Sequence, residues 1–392
     1  MPIRPCWVEI RAQALEDNFR LLAAMAAPHA ELLAIVKADA YGHGLSLCAP
    51  AVVRAGARWL GVTSVEEGIA ARAVSPHARI LVIGGLFPGQ GPDLLRHSLT
   101  PVAWEPWQLD ELEAAARAAG ASSIPVHLEI DTGMSRQGIA PGELASLLTR
   151  FQSSSRLKLD GLMTHLFAAD EANGRITAEQ LTQMGSVLAA VAAAGLRAEW
   201  LNVGNSAALL AGQAQTIASL AAQHGMKALI RPGLALYGLS PAYDPAFDPL
   251  PQTLAEARLG LRPVLSWKSR VVTVRSVPAG TVVGYNGTFV ATEPMRLALV
   301  AAGYADGLDR RLGNRFSLLV RGIRAPLAGR ISMDQAVIDV TEIPGLAPGD
   351  EVVLLGAQGT ESISAFDHAE AAGTIPWEIF TRIASRVPRV AI

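Results

Sequence analysis

Eight short apolar runs, spaced by alanine-rich helical patterns, limit what this chain can fold into more than any other feature. The runs are Leu32–Val36, Trp59–Thr63, Ile80–Ile83, Thr100–Ala103, Pro125–Ile130, Leu157–His165, Glu199–Val203 and Leu229–Arg231. They are too short for helices and largely continuous in hydrophobicity, as strands buried on both faces are. Helical periodicity falls between them at roughly Ala12–Ala27, Ser46–Ala55, Val65–Val74, Pro106–Ala119, Pro141–Phe151 and Ala178–Ala194. Several of these stretches open with Asp, Ser, Thr or Pro and close with Gly, as helix caps require. Alternating strands and helices predict a parallel sheet, and eight such units predict a closed (β/α)8 TIM barrel. An open doubly wound sheet would need fewer strands and a reversal point. The one glycine-rich loop, Gly84-Gly85-Leu86, also lacks the G-x-G-x-x-G spacing of that fold.

The texture changes after Tyr237. Ser240-Pro241-Ala242-Tyr243-Asp244-Pro245 through Pro249-Leu250-Pro251 is rich in turn formers and reads as a linker. Beyond it helices become scarce. Val271–Val274, Leu297–Val300, Ser317–Val320, Ala336–Val340 and Glu351–Leu355 are β-type runs between Gly, Pro and Asp turns. The expected division is a barrel over residues 1–245 and a mainly β domain over 246–392.

With 392 residues, 50% hydrophobic and 17% charged, the chain can bury two cores and is not disordered. Its 33 basic and 35 acidic residues leave a formal charge of -2, which gives no field favouring nucleic acid or an anionic membrane. Two cysteines, Cys6 and Cys48, stand in no ligand spacing, so neither a disulfide framework nor a metal site is expected. Met1-Pro2-Ile3-Arg4-Pro5 leads into Glu9 and Arg11, not into an apolar signal core, and no 18-residue uncharged apolar stretch follows. A cytoplasmic protein is the expectation.

In such a barrel the chemistry belongs at the C-terminal ends of the strands. The first run ends in Lys37, which opens Lys37-Ala38-Asp39-Ala40-Tyr41-Gly42-His43-Gly44. An ammonium at the rim of an apolar strand is partly desolvated, its pKa falls, and the neutral amine can form a Schiff base with an aldehyde or ketone. The fifth run leads into Glu129-Ile130-Asp131-Thr132-Gly133-Met134-Ser135-Arg136, the sixth ends in Thr164-His165, the seventh leads to Gly204-Asn205-Ser206 and the eighth to Arg231-Pro232-Gly233. Asn205-Ser206 opens a helical pattern whose free N–H groups suit a phosphate. By these residues alone, Lys37 reads as well as a solvated strand-end lysine, Asn205 as an ordinary N-cap and His165 as a satisfied core histidine.

Five segments in order resemble bacterial alanine racemase: Lys37 to Gly44, Asp131 to Arg136, Arg231-Pro232-Gly233-Leu234-Ala235-Leu236-Tyr237-Gly238, Gly303-Tyr304-Ala305-Asp306-Gly307 and Gly329-Arg330-Ile331-Ser332-Met333-Asp334-Gln335. The resemblance spans both domains. It implies an isomerase that uses pyridoxal 5'-phosphate, interconverts L- and D-alanine, supplies D-alanine for peptidoglycan, and works as a homodimer whose sites are shared between subunits. Lys37 would then hold the cofactor and act as a base on one face of the substrate α-carbon. Tyr285 from the partner would serve the opposite face. A phenol with an ordinary pKa of about 10 needs a neighbouring positive charge or hydrogen bond for that work, expected from His165 and Arg231. Arg231 would face the pyridine nitrogen, while Tyr41, Asn205, Ser206, Gly233 and Leu234 would hold the cofactor and its phosphate. Arg136 and Met333 would orient the substrate carboxylate, with Asp334 in support, and Tyr304 would narrow the entrance.

Two positions depart from the family pattern. Trp377 stands where a phosphate-binding tyrosine is usual, and its indole can only donate. Glu129 stands where many members carry a carbamylated lysine. It shares a strand face with His127 and Asp131, which predicts an inward carboxylate paired in a fork with Arg136. Other readings of the chain are a racemase of broader specificity, acting on serine or larger amino acids, a barrel decarboxylase, and a non-catalytic pyridoxal-phosphate-binding protein. Such binding proteins resemble the barrel alone.

Overall fold

The structure is a computed structural model that describes residues 5–244, 246 and 250–392. The chain forms two compact units, one of Gln13–Ala40 and Cys48–Arg262, the other of residues through Ala12 together with Tyr41–Leu47 and Pro263–Ile392. The linker expected at 240–251 includes residues 245 and 247–249, and the N-terminal reading includes residues 1–4. These lie outside the described residues.

The first unit is the expected barrel. Ala30–Ile35, Trp59–Val62, Arg79–Val82, Thr100–Ala103, Ile124–Glu129, Leu157–Met163, Trp200–Asn205 and Lys227–Arg231 pair in parallel and close on themselves. Closure occurs where Ala30–Leu32 register against Ala228–Ile230. Trp59–Val62 and Thr100–Ala103 are buried along their whole length and the other six strands at all but one or two positions, which is why their sequences run apolar and do not alternate. Helices follow close to the expected bounds, for example Ala12–Ala26, Val65–Val74 and Pro106–Ala118. Leu15, Phe19, Leu22 and Ala26 form the buried stripe of the first of these. The buried Asn18 breaks that stripe, and its amide is satisfied by Leu236 O at 3.0 Å and Arg262 O at 2.8 Å. The helix expected to open at Asn205-Ser206 is there as Ser206–Leu210, whereas Gly91–Arg96, Ala214–Gln223 and Gln252–Gly260 were not anticipated, because too few turns repeat for a period to show.

A polar cluster sits near the N-terminal ends of the barrel strands. Arg79 Nη2 donates to Asp160 Oδ2 at 2.7 Å, and its guanidinium lies 3.9 Å from the centre of the Trp59 ring. His127, fully buried, brings Nε2 to 3.4 Å from the same carboxylate, and Trp59 meets both His127 and Trp200 edge to face. Gly161 makes room for this histidine, since a Cβ there would come within 2.4 Å of the ring. Burial works against the ionised form of Asp160, but the bonds and charges of His127 and Arg79 outweigh it and hold its pKa at about 2.

The second unit is the mainly β domain. Its long strand Leu265–Val277 pairs with Glu351–Gln358, Met295–Val300 and Cys6–Ile10 within a nine-stranded sheet. Cys6–Ile10 therefore belongs to this unit and not to the barrel, and Arg389–Ala391 runs parallel to it as the last strand. Helices Ala365–Ala372 and Pro376–Arg382 complete the unit. Tyr41–Leu47 also packs here. Gly42, at φ 75°, lies so close to the Phe380 carbonyl that a Cβ would stand 2.2 Å away, and His43 meets the Phe380 ring edge to face.

Candidate active site

Lys37 leaves the barrel through an unusual turn. Ala38, Asp39, Ala40 and Tyr41 have φ of 53°, 52°, 56° and 53°. A left-handed turn of non-glycine residues costs about 1–2 kcal/mol per residue, so something must hold it. Glu67 does part of this, its two carboxylate oxygens accepting the N–H groups of Ala38 and Thr63 at 2.7 Å each. Ser64 and Glu67 carry the sequence of a capping box, and Ser64 Oγ does accept the Glu67 N–H. The Glu67 carboxylate, however, is used to secure the strand ends beside Lys37.

Arg231 is the hub of the buried group. Nη1 donates to Asn202 O at 2.7 Å and Asn202 Oδ1 at 2.5 Å, while Nη2 donates to Thr164 O at 2.9 Å and contacts His165 Nδ1 at 3.2 Å. A guanidinium has no acceptor, so His165 Nδ1 must accept and the imidazole proton is assigned to Nε2. Burial lowers Arg231 to about 10, which leaves it charged at neutral pH. The same burial, together with the charges of Arg231, Arg136 and Lys37, lowers His165 to about 3. His165 is thus neutral, and of the two aids expected from it, positive charge and hydrogen bonding, only the N–H remains. Burial also lowers the Lys37 amine, helped by Arg136 and Arg231 and opposed by Glu67 and Glu129.

Glu129 faces inward and is 2% exposed. Burial raises its pKa, against a hydrogen bond from Gln137 and the charges of Arg231 and Arg136. The fork expected between Glu129 and Arg136 does not form. Arg136 is exposed, and it is Gln137 that turns inward, its Nε2 donating to Glu129 Oε2 at 2.5 Å and to Ile83 O at 3.0 Å. One step along the loop separates the two side chains. The loop itself is closed by Asp131 N–H to Ile139 O and Ile139 N–H to Glu129 O, both at 2.9 Å.

On the next strands Ser206 Oγ, nearly buried, accepts the N–H groups of Gly233 at 2.9 Å and Ala235 at 3.3 Å. Leu234 lies between them at the start of a 3₁₀ turn, fully buried. Asn205 is the N-cap that its sequence allowed: Oδ1 accepts from Ala208 N–H at 2.9 Å and Nδ2 donates to Leu166 O at 2.8 Å. The remaining candidates belong to the second unit. Tyr285, Tyr304 and Met333 are 65%, 42% and 54% exposed. Asp334 bonds Arg386. Trp377 is half-buried in the first turn of Pro376–Arg382, and burial pushes the Tyr41 phenol up to about 12.

Sequence reasoning missed Glu67, Gln137 and Asn202, and also the chain Gln180 Nε2 to Thr132 Oγ1 at 3.0 Å and Thr132 Oγ1 to Thr164 Oγ1 at 2.7 Å that braces the floor. Only Glu67 carries a local signal, and its spacing from Ser64 is that of a helix cap, which does not point to a strand end.

A desolvated lysine among buried or nearby cations at the C-terminal mouth of a barrel, with the Ser206 hydroxyl and the 233–235 backbone gathered just after the last two strands, defines a lysine-dependent barrel enzyme for a small anionic molecule. Known proteins narrow this. Residues 10–241 match the alanine racemase N-terminal domain and residues 264–391 the alanine racemase C-terminal domain. The alanine racemase of Halothermothrix orenii is 38% identical over 387 residues, 98% of this chain and 96% of the relative. The crystal structure of alanine racemase from D-cycloserine-producing Streptomyces lavendulae superposes with a TM-score of 0.87 at 36% identity, covering 100% of this chain and 98% of that one. That of Bartonella henselae, with covalently bound pyridoxal phosphate, gives a TM-score of 0.83 at 28% identity and covers 100% of both chains. The chain belongs to the alanine racemase family, and it is an isomerase with alanine racemase function. The match to the C-terminal domain sets aside the reading as a barrel-only binding protein. Among the described residues no helix is long and apolar enough to cross a membrane, and no group of side chains could hold a metal ion.

Proposed function

We propose that Lys37 and Tyr285 are the two bases of this racemase and that pyridoxal 5'-phosphate is held by Lys37, Arg231, Ser206, Gly233 and Leu234. The residues fit that group. Its aldehyde needs an amine with a depressed pKa, which Lys37 has. Its phosphate needs donors, and the Ser206 hydroxyl, whose oxygen accepts the Gly233 and Ala235 N–H groups, keeps its own O–H to give beside the 233–235 backbone. Its ring nitrogen needs a donor, and the four bonds of Arg231 use Nη1 and Nη2 and leave Nε over. When bound, the cofactor supplies a sink for the electron pair left as the α C–H bond breaks.

Lys37, freed when the substrate's own amine takes its place, is a neutral amine that takes the α-proton from one face, and the Tyr285 phenol gives a proton to the other. The reverse reaction exchanges these roles. Arg231 donates a hydrogen bond without surrendering its proton, which keeps the electron sink weak and favours reprotonation over side reactions such as transamination. Arg136 orients the substrate carboxylate together with Met333, and Tyr304 limits the side chain to a small one. Tyr41, Asn205 and Trp377 border the cofactor, and Asp334 supports the Met333 loop. Tyr285, Tyr304 and Met333 come from the partner of a homodimer, a reading supported by their exposure on their own unit. The protein works in the cytoplasm on free alanine and supplies D-alanine for peptidoglycan.

The observation that carries this reading is the trio of half-buried Lys37 and His165 beside buried Arg231, all lowered chiefly by burial, with the Arg231 charge lowering the other two further. Tyr285→Phe should retain the cofactor and lose roughly 10²–10⁴-fold in racemisation, the share of a general acid–base group. α-Proton exchange should suffer far more for one enantiomer than for the other. Mixing inactive Lys37→Ala with inactive Tyr285→Phe should restore part of the activity, since a mixed dimer holds one intact site. Small, equal losses for both enantiomers, or no recovery despite subunit exchange, would overturn the assignment.

A further inference from the structure

Two loops of the β unit are laced together behind Tyr304 and Met333. Tyr304 N–H donates to Ser332 O at 3.0 Å and Ala305 N–H to Met333 O at 2.9 Å. Gly303 permits this approach, because a Cβ there would stand 2.3 Å from Met333 O. Each loop also carries an aspartate, and one guanidinium holds both. Arg386 Nε donates to Asp306 Oδ1 at 2.9 Å and Nη2 to Asp334 Oδ1 at 2.7 Å. Asp306 is fully buried, its Oδ2 accepts the Gly303 N–H at 3.0 Å, and its carbonyl accepts the Ala384 N–H at 3.0 Å.

We infer that Arg386 is a positioning residue which sets the spacing of the Tyr304 and Met333 loops and so the alanine preference of the site. The inference rests on the reading of Tyr304 and Met333 as substrate-facing. An exposed ion pair would contribute little, but here one carboxylate is buried and loses its cation if Arg386 is shortened. The planar fork matters as much as the charge. Two donors in fixed relation can span two carboxylates, whereas a lysine ammonium is a point charge on a flexible stem. Arg386 lies behind the loops and acts only through Tyr304 and Met333, so it acts on KM and on selectivity more than on turnover.

The test measures kinetics and peptide-level amide exchange on the holoenzyme. Arg386→Gln should speed exchange in peptides spanning 303–308 and 332–335, and raise KM for alanine roughly tenfold, within what a small misplacement of positioning groups produces. It should also reduce the preference for alanine over serine, while kcat changes less than KM. Arg386→Lys should fall between this variant and the wild type. Where Arg386→Gln does not fold, Asp334→Asn, which keeps the buried Asp306 pair, should show a smaller version of the same shifts. Wild-type exchange and wild-type KM in the folded variants would overturn the proposal. Tyr304→Ala separates the two readings. If it leaves the alanine-to-serine preference unchanged, the role of Tyr304 fails, and the exchange data still decide whether Arg386 holds the loops.

Discussion

The two ends of the barrel each hold a histidine beside an arginine, His127 fully buried and His165 half-buried, yet they are built for opposite purposes. At the N-terminal end, half-exposed Arg79 caps buried Asp160 in an ion pair against Trp59, so positive and negative charge meet at the edge of the fold. At the C-terminal end, Lys37, Arg136 and Arg231 share a space in which the inward carboxylate, Glu129, is itself pushed toward its neutral form by burial. Burial, and then the charges of Arg231, Arg136 and Lys37, drop His165 there to about 3, whereas Asp160 counters part of the burial at His127. A strand can serve both ends, since His127 and Glu129 lie on one face of Ile124–Glu129 two residues apart. The difference teaches that buried charge matched within the fold is used for stability. A positive excess is a site shaped for anions, here a phosphate and a carboxylate.

Substitutions can break this division. Lys37→Ala should abolish racemisation, by about 10⁴-fold or more, because it removes both the cofactor's attachment and one base. Stability of the cofactor-free protein should stay within about 0.5 kcal/mol or rise, since a cation leaves a cationic cluster. Equilibrium unfolding checks this, and a large loss would mean that the C-terminal cluster also holds the fold.

Asp160→Asn should do the reverse. A folded pKa of about 2 against the ordinary 3.8 corresponds to about 2 kcal/mol of stabilisation. Because the folded value is depressed, that contribution is complete above the ordinary value and disappears as the pH falls through about 2. The gap between wild type and variant should therefore be widest near neutrality and narrow below about pH 4, with kcat/KM unchanged at neutral pH. A variant of full stability and low activity would break the comparison.

Gln137→Leu should have the smallest effect. It frees Glu129 and loosens the loop that carries Arg136, raising KM for alanine a few-fold with little change in kcat. Removing carbon dioxide from the buffer should leave the wild-type rate unchanged, because a glutamate carries its charge without a carbamate. Bicarbonate dependence would show that the Glu129 position is not the loop's support.

Much of this was legible in advance for reasons that are local. Continuous apolar runs with helices between them determined the barrel, because a strand covered on both faces has no polar face to alternate. Position at a strand's C-terminal end marked Lys37, Glu129, His165 and Arg231, and alternation along Ile124–Glu129 turned Glu129 inward. What the sequence could not decide was which side chain meets which across distance. The Gln137–Glu129 bond crosses a loop, Glu67 reaches Ala38 over 29 positions, and Asn202 meets Arg231 over 29. The expected barrel bounds of 1–245 took in Cys6–Ile10, which pairs with Leu265–Val277 in the other unit. Periodicity reports only on a segment's own faces. Hydrogen bonds and ion pairs depend on which segments the tertiary fold brings within about 3 Å, and that is why the partners of Lys37, Glu129 and Arg231 were decided by the structure alone.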